Sequence, residues 1–310
     1  MESDGLPLGA SYQMLFILLS LLKQGISIEV LWAIIVVLVL LLFSALVSGS
    51  EAGSGPGKYL FLENVDRLLK SPSNQRGRDY AVMLKSLDDL GYAVEWRVIN
   101  AAEYGMPQRR RRIFFIAYHK STAVFKRLQK TGKTDWLLKD GTMATAFPVG
   151  TDTTNNLDFE LKGDLVSITN NFNKNEKLSP FQNTGLQIQG KIFTVKSEPD
   201  YKGTNTNLGD LLIKTDVDSE FFLDKKDEEK WEYLKGAKTI ERTSPDGHAY
   251  KYSEGGMIYP DALDRPSRTI ITGEGGKSPS RFKHVIKTDY GLRRLVPIEL
   301  ERLNMFPDNH

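Results

Sequence analysis

KYLFLENV, Lys58–Val65, is a short apolar and aromatic run that ends in polar residues, and about fifty positions later QRRRRIFFI, Gln108–Ile116, sets a row of arginines directly before a second apolar stretch. The first run reads as a buried strand whose polar carboxyl end lies where an open α/β sheet gathers its functional groups. Between the two, Arg78–Leu90 (RDYAVMLKSLDDL) carries apolar residues at helical spacing, namely Tyr80, Met83, Leu84, Leu87 and Leu90. Gly91 follows where a C-terminal cap glycine belongs. Val94–Ile99 and Ile113–Tyr118 read as two further strands. Strand, helix and strand therefore alternate, the pattern of an α/β fold.

The segment Asn100–Arg112 is polar, contains Gly105 and Pro107, and reads as a loop loaded with charge. Taken alone, Arg109, Arg110, Arg111 and Arg112 are as readily a solvated patch as a phosphate-binding one. They run into a strand, however, so alternate side chains face opposite ways and at least one guanidinium is aimed at the sheet. Glu63 is placed to meet it, either as an ion-pair partner or as a reactive carboxylate, and Asn64 is placed to cap the turn that follows.

Outward from this core the composition bounds the rest. The chain has 310 residues, 40% of them hydrophobic and 26% charged, enough for a folded protein of ordinary domain size. Its 41 basic and 39 acidic residues leave a net charge of +2, so bulk charge names no partner. There is no cysteine, which excludes disulfides, cysteine-ligated metals and any thiolate nucleophile supplied by these residues. From Val30 to Ser50 no charge occurs, and a run of about 20 apolar residues is the length of a bilayer-crossing helix. Residues 1–52 are expected to form a membrane segment spanning about 30–50, the alternative being a buried core helix, and 53–57 a Gly/Pro-rich linker or junction. This opening segment resembles the first membrane helix of the CorC/haemolysin-C-like, gliding-motility-associated membrane proteins.

Four ordered elements carry a second resemblance. Glu63-Asn64-Val65, Gln108 to Arg112, the stretch Arg265-Pro266-Ser267-Arg268-Thr269-Ile270, and RRLVPIELERLNMFP from Arg293 resemble the ENV, QxRxR, RPxxTI and RxLTPxExxRLxGFP elements of the DNA (cytosine-5) methyltransferase family. Met305 stands where the family usually has glycine. The resemblance covers about 58–310. It implies an incomplete Rossmann-like methyltransferase sheet with an inserted mixed α+β target-recognition domain. In that division 58–120 are the C-terminal part of the catalytic domain, 121–252 the target-recognition domain, and 253–310 its end and the return to the catalytic domain.

The family flips a cytosine from the duplex, adds a cysteine thiolate to C6 and transfers a methyl group from S-adenosylmethionine to C5. The resemblance implies that Glu63 hydrogen-bonds the flipped base around N3 and the amine, that Asn64 holds the local backbone, and that Arg110 and Arg112 orient the glutamate and contact the nucleotide. Gln108, Arg109 and Arg111 belong to the same DNA-binding loop. Thr269, Thr272, Lys277 and Arg281, in the stretch TIITGEGGKSPSRFKH, are candidates for backbone-phosphate contacts.

Three family elements are not found in these residues: the Gly-rich first strand of the donor site, the proline–cysteine–glutamine nucleophile element and the GN-containing element that usually follows GFP. The S-adenosylmethionine site is therefore expected to be absent, and the chain to be a truncated methyltransferase that is inactive alone. The nucleophile and donor site would come from a companion polypeptide. The alternatives are a non-catalytic, membrane-tethered DNA-binding module and a chimeric gene product without joint function. Duplex DNA is the expected partner, with a lipid bilayer if the first fifty residues anchor the chain and a cytoplasmic location if they do not.

Overall fold

The computed structural model describes residues 57–308 apart from 215 and 245. The chain divides into two compact units, one formed by residues up to 99 together with 111–200, the other by 100–110 together with 201 onward. The expected membrane segment at 1–52 and most of the linker lie outside the described residues. Among those described, no helix is long and apolar enough to cross a membrane.

The first unit is built on a six-stranded sheet. Its strands are β1 (Tyr59–Val65), β2 (Tyr92–Asn100), β3 (Arg111–His119), β4 (Thr154–Glu160), β5 (Thr184–Ile188) and β6 (Lys191–Lys196), in the spatial order β1-β3-β2-β5-β6-β4. An incomplete Rossmann-like sheet was the expectation. Instead β1 pairs antiparallel with β3, β2 with β5, β5 with β6 and β6 with β4. The pattern of β1 explains its position: Leu60 is buried, whereas Tyr59, Phe61, Glu63 and Val65 are exposed, as on an edge strand with one face in water. In β2 nearly every side chain is buried on both faces, as for a central strand.

Helix α1 (Arg78–Asp89) covers one face of the sheet. Ser71 Oγ donates to Asp79 Oδ2 at 2.5 Å and thereby fixes the first turn. The last turn closes at Gly91, whose φ of +83° suits a residue without Cβ. Tyr80, Leu84 and Leu87 are fully buried, each side chain contributing about 1.5–3 kcal/mol through burial. Tyr80 meets Trp96 edge-on at 5.3 Å and Phe181 at 4.9 Å. Opposite Trp96 in the β2/β5 register stands Gly185, where any Cβ would lie 2.1 Å from the indole. Only glycine lets that ring lie flat across the sheet.

A second cluster of Phe125, Leu128, Trp136, Leu137, Leu186 and Val195 fills the unit. Two buried charges on β2 anchor the segment that supplies it. Glu95 accepts from Tyr118 Oη (2.8 Å), Trp136 Nε1 (2.5 Å) and the Met143 N–H (3.1 Å). Burial pushes its pKa up against these donors and Arg97, which pull it down. Arg97 donates to the carbonyls of Met143, Phe147 and Leu137. Strands β5 and β6, which lie beyond residue 120, complete the sheet with β2.

The second unit contains helices α2 (Lys225–Lys235) and α3 (Pro297–Leu303) and a hairpin, β7 (Lys238–Thr243) with β8 (Ala249–Glu254). Its small core is Leu208, Ile286, Leu295 and Leu303. Such a core is supplemented by ion pairs. Arg293 meets Glu299 at 2.7 and 2.8 Å, both residues buried, while the same carboxylate accepts from the N–H groups of Val296 and Ile213. Asp261 accepts from Arg268 at 2.8 and 2.9 Å and from the Val285 N–H. Lys235 lies 3.4 Å from Asp261 and 5.7 Å from the ring of fully buried Trp231. Burial drives the lysine down to about 8, against the raising pull of Asp261.

Candidate active site

Glu63 and Arg112 project from the same face of the first unit's sheet. In the β1/β3 register Val65 faces Arg112 and Glu63 faces Phe114. Side chains two apart along a strand share a face, so the carboxylate reaches diagonally to the guanidinium, Oε1 lying 2.8 Å from Nε. Arg112 Nη1 also donates to the Arg111 carbonyl at 2.8 Å, which fixes the plane of the guanidinium. Arg111 turns aside to Asp66 at 2.9 Å. Asn64 Oδ1 accepts from the N–H of Val65 at 2.8 Å and stiffens the strand end.

The surroundings of the pair are apolar. Phe61 is 66% exposed and stacks on Phe114 with ring centroids 5.7 Å apart. An exposed carboxylate–arginine pair beside open aromatic faces can accept and donate hydrogen bonds to a planar heterocycle while a ring packs against it.

The second unit holds the remaining residues of the arginine loop. Gln108 is buried: its Nε2 donates to the Leu303 carbonyl (3.2 Å) and Asn304 Oδ1 (3.4 Å), and its Oε1 accepts from the Ile270 N–H (3.2 Å). Its role is to join the loop to α3 and to the stretch after Arg268. Arg109 is exposed, and its carbonyl accepts from Thr269 Oγ1 at 2.7 Å. Arg110 is tied by its backbone to Gln108 and Ala101, and its guanidinium has no ion-pair partner among the described residues. Glu63, Asn64, Arg111 and Arg112 are therefore brought together in one unit, and Gln108, Arg109, Arg110 and Thr269 in the other.

The glycine-rich stretch also belongs to the second unit. Thr272 is exposed, and Lys277 is exposed and paired to Glu220 at 2.8 Å. Arg281 is engaged within the protein. It donates to Glu254 Oε2 (2.8 Å) and to the carbonyls of Leu234, Gly236 and Gly255, contacts that a phosphate would have to displace.

Residues the sequence did not single out support this loop from beneath. Glu274 accepts from the N–H groups of Ile271 (3.2 Å) and His284 (2.5 Å) and meets His284 Nδ1 at 2.9 Å. Burial works to raise its pKa, but His284 and these N–H groups hold it below the ordinary carboxylate value. Lys283 donates to the Gly276 and Ser278 carbonyls, and Arg294 to that of Gly275. The partners of His284 and Arg294 lie ten or more residues away, and no local spacing in the sequence marks them.

Comparison with known proteins matches residues 55–310 to the C-5 cytosine-specific DNA methylases. The type II methyltransferase M.Sau3AI of Staphylococcus aureus is 45% identical over 254 residues, which cover 81% of this chain and 60% of that protein. M.NlaIV of Neisseria lactamica is 43% identical over 68 residues, 21% of this chain and 16% of its own. M.HpaII of Haemophilus parainfluenzae is 44% identical over 69 residues, 22% and 18% respectively. The chain thus spans less than two thirds of the length of these relatives. The matched region begins at residue 55, so the membrane-protein resemblance of residues 1–52 draws no support from it.

Proposed function

The chain belongs to the C-5 cytosine-specific DNA methylase family, and on that premise we propose that it supplies the base-holding glutamate, the arginine loop and a DNA-reading part for methyl transfer to C5 of cytosine in duplex DNA. The observation that carries this reading is the Glu63–Arg112 pair, exposed on a sheet face lined by Phe61 and Phe114. Glu63 would hold an extruded cytosine at N3 and the exocyclic amine, favouring positive charge at N3 when a nucleophile adds at C6. Arg112 keeps the carboxylate oriented, and Arg110, in the other unit and without an ion-pair partner among the described residues, is available for a DNA backbone phosphate.

The thiolate must come from outside these 310 residues, because they contain no cysteine. S-adenosylmethionine would supply the methyl group, and we place its site outside them as well. The companion that completes the site is a separate polypeptide or a further part of a longer protein. Residues 121–252, with the return at 253–310, are assigned to target recognition.

Selection from a pool of random unmethylated duplexes with the full chain tests the reading. The expected result is enrichment of a cytosine-containing sequence, with no labelled methyl group transferred from S-adenosylmethionine. Failure to retain any duplex overturns the DNA-binding role. Methylation by the chain alone overturns the assignment of the nucleophile to another polypeptide.

A further inference from the structure

A cleft of about 180 Å³ lies beside the short parallel pair formed by Gln108–Arg109 and Ser267–Arg268, within the second unit. Leu208, Met257, Ile258 and Pro266 give it an apolar lining, and Arg109 and Arg265 add positive charge. Ile258, 55% exposed, presents its side chain to the cleft.

The cations of the cleft are not equivalent. Arg268 is engaged by Asp261 and by the carbonyls of Phe282 and Lys283. Arg265 is held bidentately by its neighbour Asp264 at 2.9 and 3.2 Å. Arg109 donates to the Ser267 carbonyl from Nε at 3.4 Å, a long contact, and the rest of its guanidinium fork has no partner among the described residues. An apolar slot beside an arginine with spare donors is complementary to a planar ring that carries a phosphate. The volume falls below the ~300–1,000 Å³ of sites that enclose whole small molecules, which favours a single base over a complete cofactor.

We propose that this cleft binds one nucleotide of the DNA strand other than the cytosine held by Glu63, with its base against Met257 and Ile258 and its phosphate on Arg109. The proposal rests on the DNA-binding role argued above and adds a second, separate nucleotide subsite to it.

Photocrosslinking separates the two. The full chain is mixed with random duplexes carrying 5-iodouracil in place of thymine, irradiated and digested with trypsin. The expected result is a label on the peptide from Tyr252 to Arg268. Ile258→Asp is expected to remove that label, and Arg109→Ala to lower its yield about tenfold at low salt, with both variants keeping the parent's circular dichroism. If the duplexes are retained but the label falls elsewhere, or survives both substitutions, the subsite is refuted and the DNA-binding role stands. If no duplex is retained, the role and the subsite fall together.

Discussion

The Glu63–Arg112 pair, 2.8 Å long with Glu63 43% exposed, and the Arg293–Glu299 pair, 2.7 Å long with at most 3% of either side chain exposed, are the same chemistry in two media. Water screens the first, so it contributes little to holding the chain folded and its members remain available to a ligand. The second has exchanged hydration for four hydrogen bonds around one carboxylate, whose oxygens are thereby satisfied within the protein. The comparison teaches where to look for chemistry: an incompletely satisfied charge at the surface, supported by satisfied ones in the interior.

Breaking the buried member tests this most severely. Glu299→Ala strands the Arg293 guanidinium and two N–H groups, and should destabilise by ~3–5 kcal/mol, measured by denaturant unfolding; a loss under ~1 kcal/mol would place that pair with the surface kind.

Next in size is the buried lysine. Lys235 falls from the ordinary 10.5 to about 8 in the folded protein, so between about pH 8 and 10 the unfolded chain binds more protons and stability rises with pH. The full effect is about 3 kcal/mol, and it should be absent from Lys235→Met when unfolding is followed across that window. An unchanged slope in the variant would assign the titration to another group.

Gln108→Ala leaves the Ile270 N–H and the Leu303 carbonyl without their partner and should cost about 1–2 kcal/mol, although the residue belongs to the arginine loop. Met305→Gly should stabilise by about 1 kcal/mol. Met305 has φ +62°, its N–H reaches the Arg302 carbonyl and that of Phe306 reaches Glu301, the capping arrangement in which glycine is preferred. Smallest is Arg112→Ala, which should change unfolding free energy by less than about 1 kcal/mol while weakening retention of the selected duplex. A large stability loss with unchanged retention would remove Arg112 from the site.

What the sequence disclosed follows from the range of the interactions. The helix at 78, its closing Gly91, the strands around Val94–Ile99 and Ile113–Tyr118 and the helix opening at Pro297 rest on local spacing, and each is present within a residue or two of where spacing puts it. The meeting of Glu63 with one of four arginines was also readable, because a charged run entering a strand must turn some side chains toward the sheet. The antiparallel order of the sheet was not, since pairing of β2 with β5 joins residues some ninety positions apart. Nor were the engagement of Arg281 and the interior position of Gln108, which depend on carbonyls contributed by distant segments.

The buried indoles give the two units separate optical signatures. Trp96 and Trp136 lie in the first unit and Trp231 in the second, all screened from water. Trp231 has an N–H without a partner among the described residues and an ammonium 5.7 Å from its ring. Emission from Trp231 should therefore shift as Lys235 loses its proton, while that of the other two stays constant. With tryptophan retained at 231 alone, the colour of the fluorescence would report the charge state of one buried lysine in the folded protein.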